Sequence, residues 1–276
     1  MMENLKSFYR FGKAVLPAPL KGVLMDAMRF VVSKDIESTI NNWRHLKAQP
    51  EAIQKAAQNL LEEIRIDRVV NESIKDFAAL KGRKNLKLHL GAGSDIRIGW
   101  VNIDLALRIP PQIDPVGHPD TVFINHDLRR GLPLDEASCD YIYSSHFFEH
   151  LEYTHGLQLM RECFHVLRPE GVFRISLPNL KELFGAYLRE DHEYVNLIEV
   201  LGVLPEVEPG TEMLVDYVKY GVYQFGEHKR IYDEEKVMLL LKRIGYRSVT
   251  VSCYQEGIDP SEIIRRKYSF YVEAVK

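Results

Sequence analysis

The chain has 276 residues, of which 46% are hydrophobic and 27% charged, as in an ordinary globular protein. Its net charge of −3 gives no general footprint for nucleic-acid binding, which requires clustered lysine and arginine. Cys139, Cys163 and Cys253 are too few and too far apart for a disulfide framework or a zinc spacing, so we expect a reducing, cytoplasmic location. No apolar run has the length of a spanning helix, and the start lacks a signal-peptide layout.

The first part of the chain shows almost no strand-like pattern and predicts a helical cap or extension over residues 1–82. Apolar residues recur at helical spacing between Glu51 and Leu80. Residues 1–34 combine basic and large apolar side chains. Such a segment can contact an anionic membrane surface, or it can cap the following domain with its lysines in water. We favour the cap and keep peripheral membrane contact as the alternative.

From residue 83 to 276 short β-type runs alternate with amphipathic helices, which predicts a parallel sheet with helices on its faces. We expect helices near Thr154–Val166 and Asp233–Ile244, the second beginning at an aspartate N-cap and ending before a glycine. The predicted strands are Leu86–Leu90, Trp100–Asp104, Thr121–Asn125, Cys139–Ser144, Gly171–Leu177, Ser248–Cys253 and Ser269–Val275.

A glycine turn after the first strand and an acid at the end of the second point to a nucleoside site. Gly91 and Gly93 lack a Cβ, so the backbone can turn tightly and approach a ligand closely. Asp104 is placed to accept hydrogen bonds from two ribose hydroxyls. A dinucleotide fingerprint needs a third glycine and an acid about 20 residues further on. Here the third glycine is absent, and Asp104 comes only 11 residues after Gly93. The alternative is an ordinary strand-to-loop turn.

The connection between the first two predicted strands is unusually short. It consists of residues Gly91 to Gly99, whereas a parallel crossover usually needs a dozen or more residues and a helix. Either the first helix is reduced to a turn, or the second strand is misplaced.

Four motifs occur in a fixed order along the chain: LHLGAGSD, GWVNIDL, SSHFFEHL and LRPEGVFRISLPNL. From about residue 86 onward the chain resembles the class I S-adenosylmethionine-dependent methyltransferases. The resemblance implies an α/β, Rossmann-like, doubly wound and mostly parallel seven-stranded sheet whose last strand is antiparallel. It also implies S-adenosyl-L-methionine as the cofactor and in-line transfer of its methyl group to a small-molecule or carbohydrate hydroxyl.

The resemblance further implies where the cofactor lies. Asp127 would accept from the adenine amine; otherwise it is a loop residue that caps a turn. Ser145 and His146 would lie beside the methionine part and face the acceptor. His89 is a departure, because many members have an acid there that orients the cofactor's amino group. The predicted cofactor-binding residues are His89, Gly91, Ala92, Gly93, Asp104, Leu105, Asp127, Leu128, Ser145 and His146.

His146 and His228 are the candidate catalytic residues, because an imidazole titrates near neutral pH and can serve as a general base. His228 precedes the last predicted helix, where it could equally be only a hydrogen-bonding residue. Glu149 and His150 follow His146 at a spacing that could suggest metal ligands. Since such spacings are common by chance, we predict no metal site. The acceptor pocket is expected in an insertion over about residues 181–226.

The acceptor itself is weakly determined by the sequence. Resemblance to enzymes that modify sugars and surface polysaccharides favours a carbohydrate. Residues 1–82 contain 13 Lys and Arg against 10 Asp and Glu, which leaves a net charge of −6 for the remainder. This argues against a nucleic-acid acceptor, because phosphate contacts need basic residues. A non-catalytic scaffold of the same fold is the alternative that His89 favours, and a nicotinamide oxidoreductase fails on the glycine count.

Overall fold

A computed structural model describes residues 51–106, 120–200 and 213–276 of the chain. The basic segment at residues 1–34 and the middle of the expected insertion, residues 201–212, lie outside the described residues. Among the residues described, no helix is both long and apolar enough to cross a membrane.

The chain divides into two compact units, residues 1–71 and residues 72–276. Helix α1 (Glu51–Ala79) begins in the first unit and ends in the second, close to the helix predicted between Glu51 and Leu80. The predicted domain boundary after residue 82 stays a prediction.

Seven strands form one sheet in the second unit, in the order β3-β2-β1-β4-β5-β7-β6. Neighbouring strands are parallel except where β7 pairs with β5 and β6, to both of which it is antiparallel. The predicted mostly parallel, seven-stranded sheet with an antiparallel last strand is therefore confirmed. The strands are β1 (Leu86–Leu90), β2 (Val101–Asp104), β3 (Val122–Asn125), β4 (Cys139–Ser145), β5 (Leu167–Pro178), β6 (Ser248–Ser252) and β7 (Ser269–Val275).

Helices follow the strands, and further helices lie in the described part of the expected insertion. Both helices predicted within the sheet domain are present, and Asp233 caps the second one by accepting from the Lys236 N–H at 2.8 Å. Gly245 ends that helix with a φ of +119°, a conformation that favours glycine. The helices are α2 (Tyr153–Val166), α3 (Leu180–Leu188), α4 (Glu193–Val200), α5 (Leu214–Tyr223), α6 (Glu234–Ile244) and α7 (Ile263–Lys267).

The short connection between β1 and β2 contains a turn in place of the first helix, which was one of the two alternatives. Residues 91–100, all of which the structure describes, form turns and bends. The second strand is correctly placed, since Leu88 lies opposite Val101 and Leu90 opposite Ile103 in a parallel ladder.

The start of β5 differs from the expectation. We predicted a strand that begins at Gly171, but β5 already begins at Leu167. Leu167 lies opposite Cys139 while Val172 already lies opposite Tyr141, so the residues between them bulge out of the ladder. The strand begins earlier than its Pro-Glu-Gly sequence suggests, because residues on both sides of the bulge pair with β4.

One face of the sheet forms the main apolar core. Leu88, Ile103 and Ile142 are fully buried on the central strands. Side chains of α2 and α6 pack in the same cluster, among them Met160 and Leu241. Burial of this face supplies the main driving force that holds the helices against the strands.

The opposite face carries polar and aromatic side chains. Register places Tyr143 of β4 beside Arg174 of β5. Arg174 has no exposed surface, and its guanidinium forms an ion pair with the buried Asp259 and donates to Glu273 at 2.9 Å. It also lies 5.0 Å from the ring centre of Tyr271. These contacts fasten the loop between β6 and β7 to the sheet.

His89 lies on this same face, next to Tyr143 in the register. The ring is 1% exposed, and its centre is 5.3 Å from that of Tyr143. Burial first, and then the charge of Arg97, lower the pKa of His89 to about 4. Above that pH the imidazole is neutral, which suits an interior position.

Replacing Arg174 by Leu is expected to lower the free energy of unfolding by about 3–5 kcal/mol, because Asp259 would remain buried without its partner. Denaturant titration followed by circular dichroism measures the change. The double variant Arg174→Leu/Asp259→Asn removes the stranded charge and should recover part of the loss. Unchanged stability of the single variant would contradict this account.

The buried His89 should make the protein less stable in acid. Between pH 6.5 and the folded pKa of about 4, the unfolded chain binds a proton that the folded protein does not. The free energy of unfolding therefore falls as the pH is lowered through this window. From pH 6.5 to 5 the His89→Gln variant should lose about 2 kcal/mol less than the wild type in urea titrations. Equal losses would contradict the prediction; exposed His192→Gln is the control.

Candidate functional site

Strands β1 to β5 are parallel, so their carboxyl ends meet at one edge of the sheet. The strand order reverses between β1 and β4, and ligands of open α/β sheets bind at such a switch point. The structure places the predicted cofactor-binding residues along this edge: Gly91, Ala92 and Gly93 after β1, Asp104 and Leu105 at β2, Asp127 and Leu128 after β3, and Ser145 and His146 at β4. His89 lies inside β1, one residue before the strand ends.

The glycine turn is held against β2 by its own N–H groups. The N–H groups of Gly91 and Ala92 donate to the Ile103 carbonyl at 2.9 and 3.2 Å. The Gly93 N–H donates to Asp104 Oδ2 at 2.5 Å. Both glycines have positive φ angles, +68° and +52°. The turn is therefore shaped by hydrogen bonds within the fold, before any ligand binds.

Phe147 makes the close approach that Gly91 permits. A Cβ on Gly91 would lie 2.3–2.5 Å from atoms of the Phe147 side chain, which is too close for any larger residue. Phe147 follows directly after the end of β4, so this contact joins the ends of β1 and β4. Sequence analysis missed it, because no local pattern pairs these two positions.

Asp104 supports the turn and can still accept further hydrogen bonds. Its Oδ1 accepts from the Leu105 N–H at 2.6 Å, and its Oδ2 from Gly93. The residue is partly exposed. Each carboxylate oxygen has two lone pairs, so each can accept one further hydrogen bond, as a ribose diol requires.

Asp127 adopts the capping role that was the alternative to adenine binding. It accepts from the Arg129 N–H at 3.0 Å and caps a short 3₁₀ turn, Leu128–Arg130. The Arg129 guanidinium also binds both carboxylate oxygens, at 2.8–3.0 Å. Burial disfavours the charge, but these hydrogen bonds outweigh it and hold the pKa of Asp127 below its ordinary value. Leu128 points into the apolar core, and an adenine contact stays a prediction.

The end of β4 has an unusual backbone. His146 has a φ of +50°, which is uncommon for a residue with a side chain and costs about 1 kcal/mol or more. Its Nε2 shares a hydrogen bond with Ser269 Oγ at 2.7 Å, and Ser145 Oγ accepts from Arg265 at 3.3 Å. Burial, followed by the charge of Arg265, lowers the pKa of His146. The imidazole is therefore neutral and able to take up a proton.

His146 and His228 line one cavity of about 150 Å³ beside the sheet edge. The structure thus brings together two histidines that the sequence offered separately. Helices of the expected insertion supply much of the wall. The side chains that sequence analysis did not identify are Leu183, Tyr194, Tyr220, Gln224, Ile264, Arg265 and Tyr268.

Glu149 and His150 lie in a 3₁₀ turn beyond β4 and approach His228. The backbone carbonyl of Glu149 accepts from the N–H groups of Lys229 and Arg230, at 2.7 and 3.0 Å. These bonds hold the segment after His228 beside the turn. Potential ligand atoms of Glu149, His150 and His228 all lie within 4.8 Å of one another. Burial raises the pKa of Glu149 to about 8.

Comparison with known proteins gives one family and several similar folds. Residues 108–175 match the family model of a methyltransferase domain. A probable S-adenosylmethionine-dependent methyltransferase of Mycolicibacterium smegmatis is 41% identical over 68 residues, which are 23% of this chain and 26% of that protein. The chain thus spans about a quarter of the length of this curated relative.

Solved structures with a similar arrangement are distant in sequence. A SAM-dependent methyltransferase of Archaeoglobus fulgidus aligns over 78% of this chain and 94% of its own, with 16% identity and a TM-score of 0.40. Phosphoethanolamine N-methyltransferase 2 of Haemonchus contortus, in complex with S-adenosyl-L-methionine, aligns over 75% of this chain and 52% of its own, with 13% identity and a TM-score of 0.40.

The sheet order with its antiparallel last strand and the two sequence matches agree with the family inferred from the four motifs. Both matches support the resemblance indicated by the motifs: residues 108–175 are similar to a methyltransferase domain, and 23% of the chain is similar to an S-adenosylmethionine-dependent methyltransferase.

Proposed function

We propose that this protein transfers the methyl group of S-adenosyl-L-methionine to a hydroxyl group of a small-molecule or carbohydrate acceptor. The observation that carries the proposal is the position of His146: it directly follows β4 at the predicted cofactor edge and also lines the adjoining cavity. A cofactor at this edge would present its methyl group to whatever occupies the cavity.

The cofactor would lie across the ends of β1, β2 and β4. Asp104 would hold the ribose, and Ser145 and His146 would flank the methionine part. The partly exposed carboxylate of Asp104 supports this assignment, since it has acceptor positions left after its contacts with the turn.

The chemistry of the cavity supports a polar acceptor with rings. Tyr194, Tyr220 and Tyr268 offer aromatic surface, and Arg265 and Gln224 offer hydrogen-bond donors. Ligand sites commonly combine apolar walls with a few fixed polar groups in this way. A sugar, with apolar ring faces and hydroxyl edges, fits that combination.

The proposed step is an in-line displacement. The acceptor oxygen attacks the methyl carbon, the carbon–sulfur bond breaks, and its electron pair remains on sulfur as S-adenosylhomocysteine. The hydroxyl proton passes to a base, either His146 or His228, and burial lowers the pKa of both so that both are neutral. Positioning contributes most, about 7–11 kcal/mol in well-oriented reactions.

We propose the cytoplasm as the location and an acceptor small molecule, not a nucleic acid, as the partner. Cys139 and Cys163 are free, buried thiols, which fits a reducing compartment. The possible membrane contact of residues 1–34 stays a prediction.

Calorimetric titration tests the cofactor site. We expect micromolar binding of S-adenosylmethionine and S-adenosylhomocysteine, about −8 kcal/mol, and none of NADH. Asp104→Ala should weaken binding at least tenfold, because the ribose loses its acceptor. The exposed Asp120→Ala serves as the matched control. If well-folded protein binds neither adenosyl ligand, the enzyme proposal fails and the scaffold alternative takes its place.

Turnover of the histidine variants tests the base. With sugars screened as acceptors by release of S-adenosylhomocysteine, His146→Ala or His228→Ala should lose about 10²–10⁴-fold in rate. His192→Ala, an exposed position, should behave as the wild type. Losses of only a few-fold in both variants would rule out a histidine base.

A further inference from the structure

We propose that Glu149, His150 and His228 bind a divalent transition-metal ion beside the acceptor cavity. Sequence spacing alone did not support such a site, because the spacing of His146, Glu149 and His150 is common by chance. The fold supplies what was missing by placing His228 against Glu149 and His150. The proposal that a metal binds here depends only on these contacts. The catalytic role of the metal rests on the proposed function.

The distances suit a metal site before the ion binds. The ligand atoms lie within 4.8 Å of one another, one from each residue. Zinc bonds to nitrogen and oxygen of about 2.0–2.2 Å place neighbouring ligand atoms roughly 3–4 Å apart. Small rotations of the three side chains would therefore close the site.

The hydrogen bond of His228 is that of a metal ligand. His228 Nδ1 lies 3.0 Å from the Val222 carbonyl, and a carbonyl only accepts, so Nδ1 carries the hydrogen. The other nitrogen, Nε2, keeps its lone pair; it is buried and has no hydrogen-bond partner in the described part of the chain. Ligating histidines are typically oriented by such a bond from their second nitrogen. The His150 ring stands edge-on to that of His228, with ring centres 4.9 Å apart.

Glu149 supplies a buried carboxyl group. The residue is 2% exposed, and within residues 51–106, 120–200 and 213–276 neither of its side-chain oxygens has a hydrogen-bond partner from another residue. His146 Nδ1 lies 3.5 Å from Oε1. The Arg265 guanidinium donates to Ser145 and not to this carboxyl group. A buried polar group without a partner is costly, and a bound dication would be that partner.

The site faces the place where the acceptor is expected. Glu149 and His228 line a cleft next to Leu177 and Pro178 at the end of β5, and His228 also lines the cavity at His146. Two imidazoles and one carboxylate leave coordination positions open, as in catalytic zinc sites. A bound ion would supply a Lewis acid that makes a coordinated hydroxyl easier to deprotonate. His228 would then be a ligand, which leaves His146 as the base.

Metal titration of the full chain tests the site. The protein is stripped with a chelator, and Zn²⁺ and Mn²⁺ are titrated separately by calorimetry, with Mg²⁺ as a hard-cation comparison. We expect one site per chain for Zn²⁺ or Mn²⁺, with affinity reduced at least 100-fold in Glu149→Gln and in His228→Asn. The exposed Glu190→Gln and His192→Asn are matched controls that should bind as the wild type does.

The folding of each variant is checked by thermal unfolding without metal. Glu149→Gln keeps the side-chain shape and replaces a carboxyl group that has no hydrogen-bond partner by an amide, so the metal-free variant should stay folded. No stoichiometric binding by the wild type, or binding that both variants retain, would overturn the proposal. Titration of S-adenosylmethionine on the same samples separates the metal site from the proposed function. A wild-type protein that binds metal but not S-adenosylmethionine would contradict the proposed function and leave the metal site standing.

Discussion

The parallel pairing of β1 with β2 on one side and β4 on the other is the constraint on which the rest of the structure depends. Leu88 and Leu90 of β1 have no exposed surface, so this strand cannot shift its register without exposing the core. Because the three strands run the same way, their carboxyl ends meet. The glycine turn, Asp104 and His146 are neighbours for this reason, although they lie far apart in sequence.

Two further contacts turn this meeting of strand ends into a site. The ring of Phe147 packs on Gly91, which couples the end of β4 to the turn after β1. The carbonyl of Glu149 holds the segment after His228 through two backbone hydrogen bonds. The first contact shapes the proposed cofactor side and the second shapes the proposed acceptor side. Only the end of β4 and the turn that follows it separate the two.

The predictable parts of the structure are those with local causes. The helix from Glu234 was predictable because Asp233 and Gly245 mark its ends, and β1 because its alternating and apolar residues precede a glycine turn. The antiparallel last strand was predicted from the resemblance of motifs and not from any residue pattern. The early start of β5 could not be predicted, since Pro169 and Gly171 are typical of a turn and only pairing with β4 makes them part of a strand.

The parts of the site that the sequence could not reveal depend on distant contacts. Nothing near Gly91 indicates Phe147, and nothing near Glu149 indicates that His228 will lie beside it. The tyrosines of the cavity come from helices and a strand junction spread over the expected insertion and beyond. The spacing of His146, Glu149 and His150 was the one available signal, and it was too common to decide between a metal site and an ordinary turn.

A crystal structure with S-adenosylhomocysteine bound would test the central claim most directly. The account predicts the ribose hydroxyls on Asp104 and the sulfur atom beside His146, directed into the cavity. Binding of the ligand away from this edge of the sheet would contradict it.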